Sequence, residues 1–294
     1  MFSTQEGKDM IPKTAYFFWA NSRMSFLRYM TLYSFRKCNP DWDMVLLLMH
    51  DDKMAQDSGK KVWRENQDFT YYRGPCFLKN LSLIKGLQIK RLEDYGLEFL
   101  ESYPVNIIAD IFKWKALSEK GGLVSDMDIL YVKPLPSFEG VENGVFNYLK
   151  HSWPIGFLVS DGGKMFEEAY GLSLERLKNL TDYQSVGPLL FRDVMMSKEK
   201  NHKYKGQYTI LPNELVYPFI NKRRSNDDWQ EHLSIPFEKE PELPEECIGI
   251  HWYGGCDAAK KWMARLVPQK INKYRGKLIP EILIGLLKDE FAYQ

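Results

Sequence analysis

Cysteine is scarce in this chain, and its four residues (Cys38, Cys76, Cys247 and Cys256) lie far apart with no C-x-x-C pair. That spacing argues against a disulfide framework or a zinc ribbon and fits reduced thiols in a cytosolic protein. No apolar run approaches the ~18 residues that a membrane-spanning helix needs. The opening MFSTQEGKDM lacks the basic-then-apolar layout of a signal peptide. An excess of one charge is also missing: 40 Lys and Arg face 39 Asp and Glu, for a net charge of +1. No global field therefore points to nucleic acid or to an acidic polymer. Short basic patches occur at Lys222-Arg223-Arg224 and Lys260-Lys261. The glycine-rich phosphate loops, the G-x-S-x-G elbow and internal repeats are absent too.

What is present is a large apolar inventory. Hydrophobic residues make up 44% and aromatics 14% of 294 residues, enough for one sizeable α/β core. The most informative stretch runs from Asn106 to Leu135, NIIADIFKWKALSEKGGLVSDMDILYVKPL. Ile111, Phe112, Trp114 and Leu117 recur at helical spacing, and Gly121-Gly122 cannot continue that helix. Leu123 to Ser125 reads as a short strand leading into Asp126, Met127 and Asp128. In an extended chain residues two apart share a face, so both carboxylates point one way and Met127 the other. Two carboxylates at the end of a buried strand are costly unless something positive sits beside them. A hard divalent cation is the natural occupant; two solvated turn aspartates are the alternative.

The run A-D-I-F-K-W-x-A-L-x-x-x-G-G-L-x-x-D-M-D resembles the core of the DXD-containing sugar-nucleotide glycosyltransferases of the family-32 type. These are related to yeast mannosyltransferases, α-1,4-glycosyltransferases and clostridial glucosylating toxins. The chain departs from that pattern at Lys113, where an arginine is usual, and at Val124, where an aromatic is usual. The resemblance implies a GT-A-type fold, a Rossmann-like mixed sheet flanked by helices. It implies a single glycosyltransferase domain over residues 1–294, with a nucleotide-sugar-binding half at 1–135 and an acceptor-side half at 136–294 carrying a C-terminal helix.

Taken in order, the chain supports an α/β reading. Met1 to Met10 reads as a frayed end. TAYFFWA reads as a first strand, Ser25 to Cys38 as a helix with Ser25 as N-cap, and Trp42 to Met49 as a strand buried on both faces. A β-α-β start of this kind implies a right-handed crossover and a parallel pair. Ligands of open sheets bind at the carboxyl ends of strands, which sets Trp19 and the Asp-Met-Asp triplet at one edge. Asp51 to Tyr72 is polar and ambiguous. Gly144 to Leu149 and Ile155 to Ser160 read as strands, Lys164 to Leu177 and Leu189 to Met196 as helices, and Tyr208 to Leu211 as a short strand. Asn221 to Glu246 reads as a charged surface excursion. Ile248 to Ile250 forms a short strand ending at His251, then Gly254-Gly255 and Lys261-Trp262. Lys270 to Tyr293 has helical spacing; that helix either packs on the core or lies on an anionic membrane surface.

Each candidate side chain has two readings. By the resemblance Trp19 stacks on a nucleotide base; otherwise it is a core tryptophan. Asp182 and Gln184 either contact a sugar or simply cap the helix that follows. His251 either completes a metal site with Asp126 and Asp128, imidazole being a reasonable Mn²⁺ ligand, or is structural. The resemblance further implies that Asp110 and Lys113 reach the ribose, sugar or phosphate, and that Lys261 and Trp262 touch the diphosphate. It implies an enzyme, a hexosyltransferase of polysaccharide biosynthesis, using Mn²⁺ or Mg²⁺. The donor would be a nucleoside diphosphate sugar, UDP-linked, and the acceptor a hydroxyl of a glycan, lipid-linked or protein acceptor, reached with retention. The expected partners include no nucleic acid and no transmembrane segment. The expected place is the cytoplasm, with peripheral contact at the inner face of the membrane. Two other classes use the same residues: a metal-dependent nucleotide-sugar phosphohydrolase or nucleotidyltransferase, and an inactive nucleotide-sugar-binding module.

Overall fold

The computed structural model describes residues 11–20, 23–49, 72–148, 152–196, 204–220, 229–239 and 242–291. The expectations for Met1 to Met10, for most of Asp51 to Tyr72 and for the basic patch at Lys222 to Arg224 lie outside those residues.

Strand β1 (Thr14–Ala20) is followed by helix α1 (Phe26–Cys38) and strand β2 (Asp43–Met49). Ser25 caps α1, its hydroxyl accepting the backbone N–H of Arg28 at 3.2 Å. β1 and β2 pair in parallel over their whole length, from Thr14 opposite Asp43 to Ala20 opposite Met49. Strand β3 (Leu87–Lys90) extends this group in parallel on the outer side of β2.

Helix α2 (Val105–Lys120) then crosses to strand β4 (Gly122–Ser125), which pairs in parallel with β1. Gly121 ends the helix in a left-handed conformation, φ +64°, and a Cβ there would fall 2.8 Å from the backbone of Ser160 and Asp161. Both the conformation and the close approach require glycine. The buried face of α2 includes Ile107, Ile111 and Trp114. Trp114 packs against both Phe166 and Phe191, with ring centroids 6.0 and 5.3 Å away, and donates its indole N–H to the carbonyl of Val186 at 2.6 Å.

Strands β6 (Asn143–Val145), β7 (Phe157–Ser160) and β8 (Thr209–Ile210) complete a seven-stranded sheet in the order β3-β2-β1-β4-β7-β6-β8. β7 runs antiparallel to β4 and β6, whereas β6 and β8 are parallel. Strand β5 (Ile129–Tyr131) leaves this sheet and pairs antiparallel with β9 (Gly249–His251). Helices α3 (Lys164–Arg176) and α4 (Pro188–Met196) cover one face together with α2. This is the expected α/β class: a Rossmann-like mixed sheet flanked by helices.

The region read as a surface excursion contains helix α5 (Trp229–Glu238), and that expectation is corrected. Its Leu233 and Phe237 are buried, and Phe237 stacks on Trp262 of helix α6 (Asp257–Arg265) with ring centroids 6.0 Å apart. A few apolar side chains among many charges were enough to dock this helix. The C-terminal helix α7 (Leu278–Phe291) starts later than expected and is preceded by a 3₁₀ turn at Pro268–Tyr274. Ile279, Leu283, Ile284 and Leu287 of α7 enter the main core, and Lys37 donates to the carbonyl of Leu286 at 2.8 Å. Among the described residues no helix is long and apolar enough to cross a membrane.

Candidate functional site

The chain leaves β4 at Ser125 and turns through Asp126, Met127 and Asp128 into β5. Three long-range bonds fix this turn. The N–H of Asp126 bonds the carbonyl of Gly156 at 2.7 Å, the carbonyl of Met127 accepts the Thr31 hydroxyl at 3.0 Å, and the carbonyl of Asp128 accepts the N–H of Trp252 at 2.8 Å. Asp126 to Asp128 is a turn and not the extended chain expected, yet Met127 is still buried in the core and the two carboxylates converge on one site.

The β5–β9 pairing sets Ile129 opposite His251, which delivers the imidazole to the same place. One ligand atom each from Asp126, Asp128 and His251 lies within 4.8 Å of the others. Nε2 of His251 stands 3.7 Å from Oδ2 of Asp126 and 3.4 Å from Oδ1 of Asp128. The other ring nitrogen, Nδ1, accepts the backbone N–H of Tyr253 at 3.2 Å. Neutral His251 therefore carries its proton on Nε2 and directs it at the carboxylates, so ligation through Nε2 requires the Nδ1 contact to be given up.

Buried cations surround the carboxylates. Lys113 of α2 lies 2.7 Å from Oδ1 of Asp126 and 3.4 Å from Oδ1 of Asp110. The Lys113 ammonium is held well above its ordinary range by Asp126 and Asp110, against the opposing effect of its burial. Burial would raise the Asp126 carboxyl, but Lys113 and then His251 bring it well below the usual carboxylate range. Burial pushes Asp110 up to about 6, with Lys113 only partly opposing it. Arg28, buried at 4% exposure, lies 3.6 Å from Oδ2 of Asp128.

The set suits a hard divalent cation on three observations. Two converging carboxylates with an imidazole beside them form a donor set of the right chemistry. Tyr217 brings a buried hydroxyl to the same spot. Gly156 also lets three polar atoms close in: a Cβ there would meet Oδ2 of Asp126 at 2.7 Å, the Tyr217 hydroxyl at 3.0 Å and Nε2 of His251 at 3.1 Å. That absent methyl is the reason the cluster can form.

The other candidates are placed less uniformly. Trp19 is the last residue but one of β1 and is buried, its indole N–H has no partner, and the Arg28 guanidinium lies 5.4 Å from its ring. Asp182 folds back on its own turn, Oδ1 accepting the N–H of Gln184 at 2.8 Å, and the Gln184 amide donates to the Tyr183 hydroxyl at 2.7 Å. Gly187 follows this turn, and a Cβ on it would strike Oδ2 of Asp110 at 2.1 Å, so the turn rests directly on the Asp110 carboxylate. Lys261 is exposed on α6. Trp262 is not brought to the cluster: it is buried against Phe237 and Tyr274, with its indole N–H on Glu238 at 3.0 Å.

Sequence reasoning missed Arg28, Tyr217 and Gly156. Arg28 sits within helically spaced apolar residues and carries no motif. Its only signal was a charge at a position the amphipathic pattern assigns to the core. Tyr217 is the aromatic of the run Leu211 to Pro218, LPNELVYP, which resembles an L-P-x-x-x-x-F/Y-P turn but gives no hint of this site, and Gly156 gives no signal in a single sequence.

No family model and no curated protein sequence matches this chain. Among solved structures it is similar to the PaToxG glycosyltransferase, with TM-score 0.46 and 14% identity over 87% of each chain. It is similar to the apo-form glycosyltransferase GlyE of Streptococcus pneumoniae TIGR4, with TM-score 0.45, 13% identity, and coverage of 94% of this chain and 60% of that one. A third is the galactosyltransferase LgtC in complex with donor and acceptor sugar analogs, with TM-score 0.41, 12% identity, and coverage of 89% and 99%.

Proposed function

We propose that this chain is a metal-dependent glycosyltransferase of GT-A type. It moves a sugar from a nucleoside diphosphate sugar, UDP-linked, to an acceptor hydroxyl of a glycan, with retention at the anomeric carbon. The observation that carries the proposal is the convergence of Asp126, Asp128 and His251 beyond the carboxyl end of β4, whose parallel neighbour β1 carries Trp19 as its last residue but one. In sheets of this kind the carboxyl edge is where ligands bind. The resemblance of Asn106 to Leu135 to family-32 DXD enzymes supports the choice of a sugar nucleotide and of retention.

The proposed site holds Mn²⁺ or Mg²⁺ on Asp126 and Asp128, with His251 at the third corner. When bound, such a cation neutralises the charge that develops on a departing diphosphate. Lys113 keeps Asp126 ionised and ready to bind it. Trp19 offers its ring to the base, and Asp110 reaches the ribose or sugar from α2. Asp182 and Gln184 meet the sugar from the turn on Asp110, and Lys261 meets the phosphates from α6. Residues 1–135 supply most of the donor side and 136–294 the acceptor side, His251 crossing from the second half to the cation site. The acceptor is a glycan, lipid-linked or protein hydroxyl, met in the cytoplasm with peripheral contact at the inner face of the membrane.

The test is a screen of UDP- and GDP-sugars with Mn²⁺, with and without glycan acceptors, scoring nucleotide release and glycosyl product separately. Glycosyl product that depends on both metal and acceptor is expected, and Asp128→Ala should abolish it. Nucleotide or phosphate release that no acceptor alters would mean a phosphohydrolase instead. Turnover of Asp128→Ala equal to wild type would overturn the metal assignment.

A further inference from the structure

Arg28 is an unusual residue for its place. It lies in the first turn of α1, its backbone N–H on the Ser25 cap, and its side chain runs inward between two tryptophans. The guanidinium carbon is 4.6 Å from the centre of the Trp252 ring and 5.4 Å from that of Trp19. A buried guanidinium is costly unless something compensates it. Here the compensation is two π faces and the carboxylates of Asp128 and, farther off, Asp126.

The division of labour at Asp128 is specific. Oδ2 takes the Gly254 N–H at 2.7 Å and faces Arg28 at 3.6 Å, whereas Oδ1 is the oxygen turned toward His251 and the cation cluster. Gly254 is shaped to this arrangement, since a Cβ on it would lie 2.0 Å from Nη2 of Arg28. Resting on the cation-site reading above, we infer that Arg28 is a positioning residue that holds Asp128 as a one-oxygen ligand, by occupying Oδ2 and leaving Oδ1 for the metal. The flat guanidinium also couples this carboxylate to Trp19, so one buried ion sets both the metal side and the proposed base-stacking side of the site.

A lysine keeps the charge but cannot lie flat between two indoles. The direct test is Mn²⁺ binding, read as free-ion paramagnetic resonance, on wild type and Arg28→Lys, with Tm measured alongside. Arg28→Lys should bind Mn²⁺ about tenfold or more weakly, the usual cost of removing a group that orients a metal ligand. A second variant, Arg28→Ala, should recover Mn²⁺ affinity when methylguanidinium is added, which a purely structural role would not produce. Wild-type affinity in folded Arg28→Lys, or methylguanidinium that restores Tm to Arg28→Ala without restoring affinity, would overturn the inference. Failure of the wild type itself to bind Mn²⁺ would overturn the cation site and Arg28's role together. Mn²⁺ binding without sugar transfer would refute the proposed function and leave Arg28's role standing.

Discussion

The ammonium of Lys113 sits between two carboxylates, 2.7 Å from Asp126 and 3.4 Å from Asp110, on the buried face of α2. One short cation thus links the end of β4 to the helix that precedes it. Removing it strands the buried carboxylate of Asp110 and the partly exposed one of Asp126. Lys113→Met should lower unfolding stability by about 3 kcal/mol, at the lower end for a broken buried pair because Asp126 is partly exposed. Urea denaturation of the two proteins would measure it, and a difference within error would mean that the carboxylates find other partners.

Gly156 tests the cluster with one methyl. An alanine there would press on Asp126, Tyr217 and His251 at once, at separations of 2.7 to 3.1 Å. Gly156→Ala should weaken Mn²⁺ binding about tenfold, as displaced metal ligands commonly do, and lower Tm through overpacking. Titration calorimetry with Mn²⁺ and a thermal melt would separate the two effects.

Asp110 gives a pH signature. Burial raises its carboxyl to about 6, so the fold disfavours the ionised form. Relative to a side chain that is neutral at every pH, its contribution is intact below about pH 4, the ordinary carboxyl range, and is lost as the pH rises through about 6. The stability of Asp110→Asn relative to wild type should therefore climb between pH 4 and pH 7 and level off above. Melts across that range would show it; a pH-independent difference would mean that Lys113 fully offsets the burial.

The tryptophans divide by readout. Trp19→Ala should raise the donor KM more than it lowers kcat, since base stacking binds ground state and transition state alike. An unchanged KM would make Trp19 a core residue and no more. Trp262→Phe should leave the donor KM alone and cost about 1 kcal/mol of stability, the worth of a hydrogen bond such as the one it gives Glu238.

Much of this molecule follows from local sequence. The strand β1, the Ser25-capped helix, the apolar strand β2 and the Gly121 stop all rest on periods of 2 and 3.6, on a local cap or on backbone conformations only glycine adopts readily. Those rules act within a few residues, so a single chain displays them. Even the position of His251 at a strand end was legible, because a short apolar run before a glycine pair marks it. Helix α5 was misread for a local reason as well, since its short apolar set, WQEHLSIPFE, lies between charged and proline-containing flanks and carries a proline of its own.

What surrounds the carboxylates was decided by tertiary structure alone. Gly254 reaches Asp128 across 126 positions, Tyr217 meets His251 ring to ring at 5.1 Å, and Arg28 enters from the first helix. No periodicity records such meetings, because they depend on how β5 leaves the main sheet to pair with β9. The same packing took Trp262 into the core and left Lys261 exposed beside it. The sequence placed two carboxylates just beyond a buried strand; which cations, rings and glycines close around them depended on contacts between segments distant in the chain, because only packing brings those segments together.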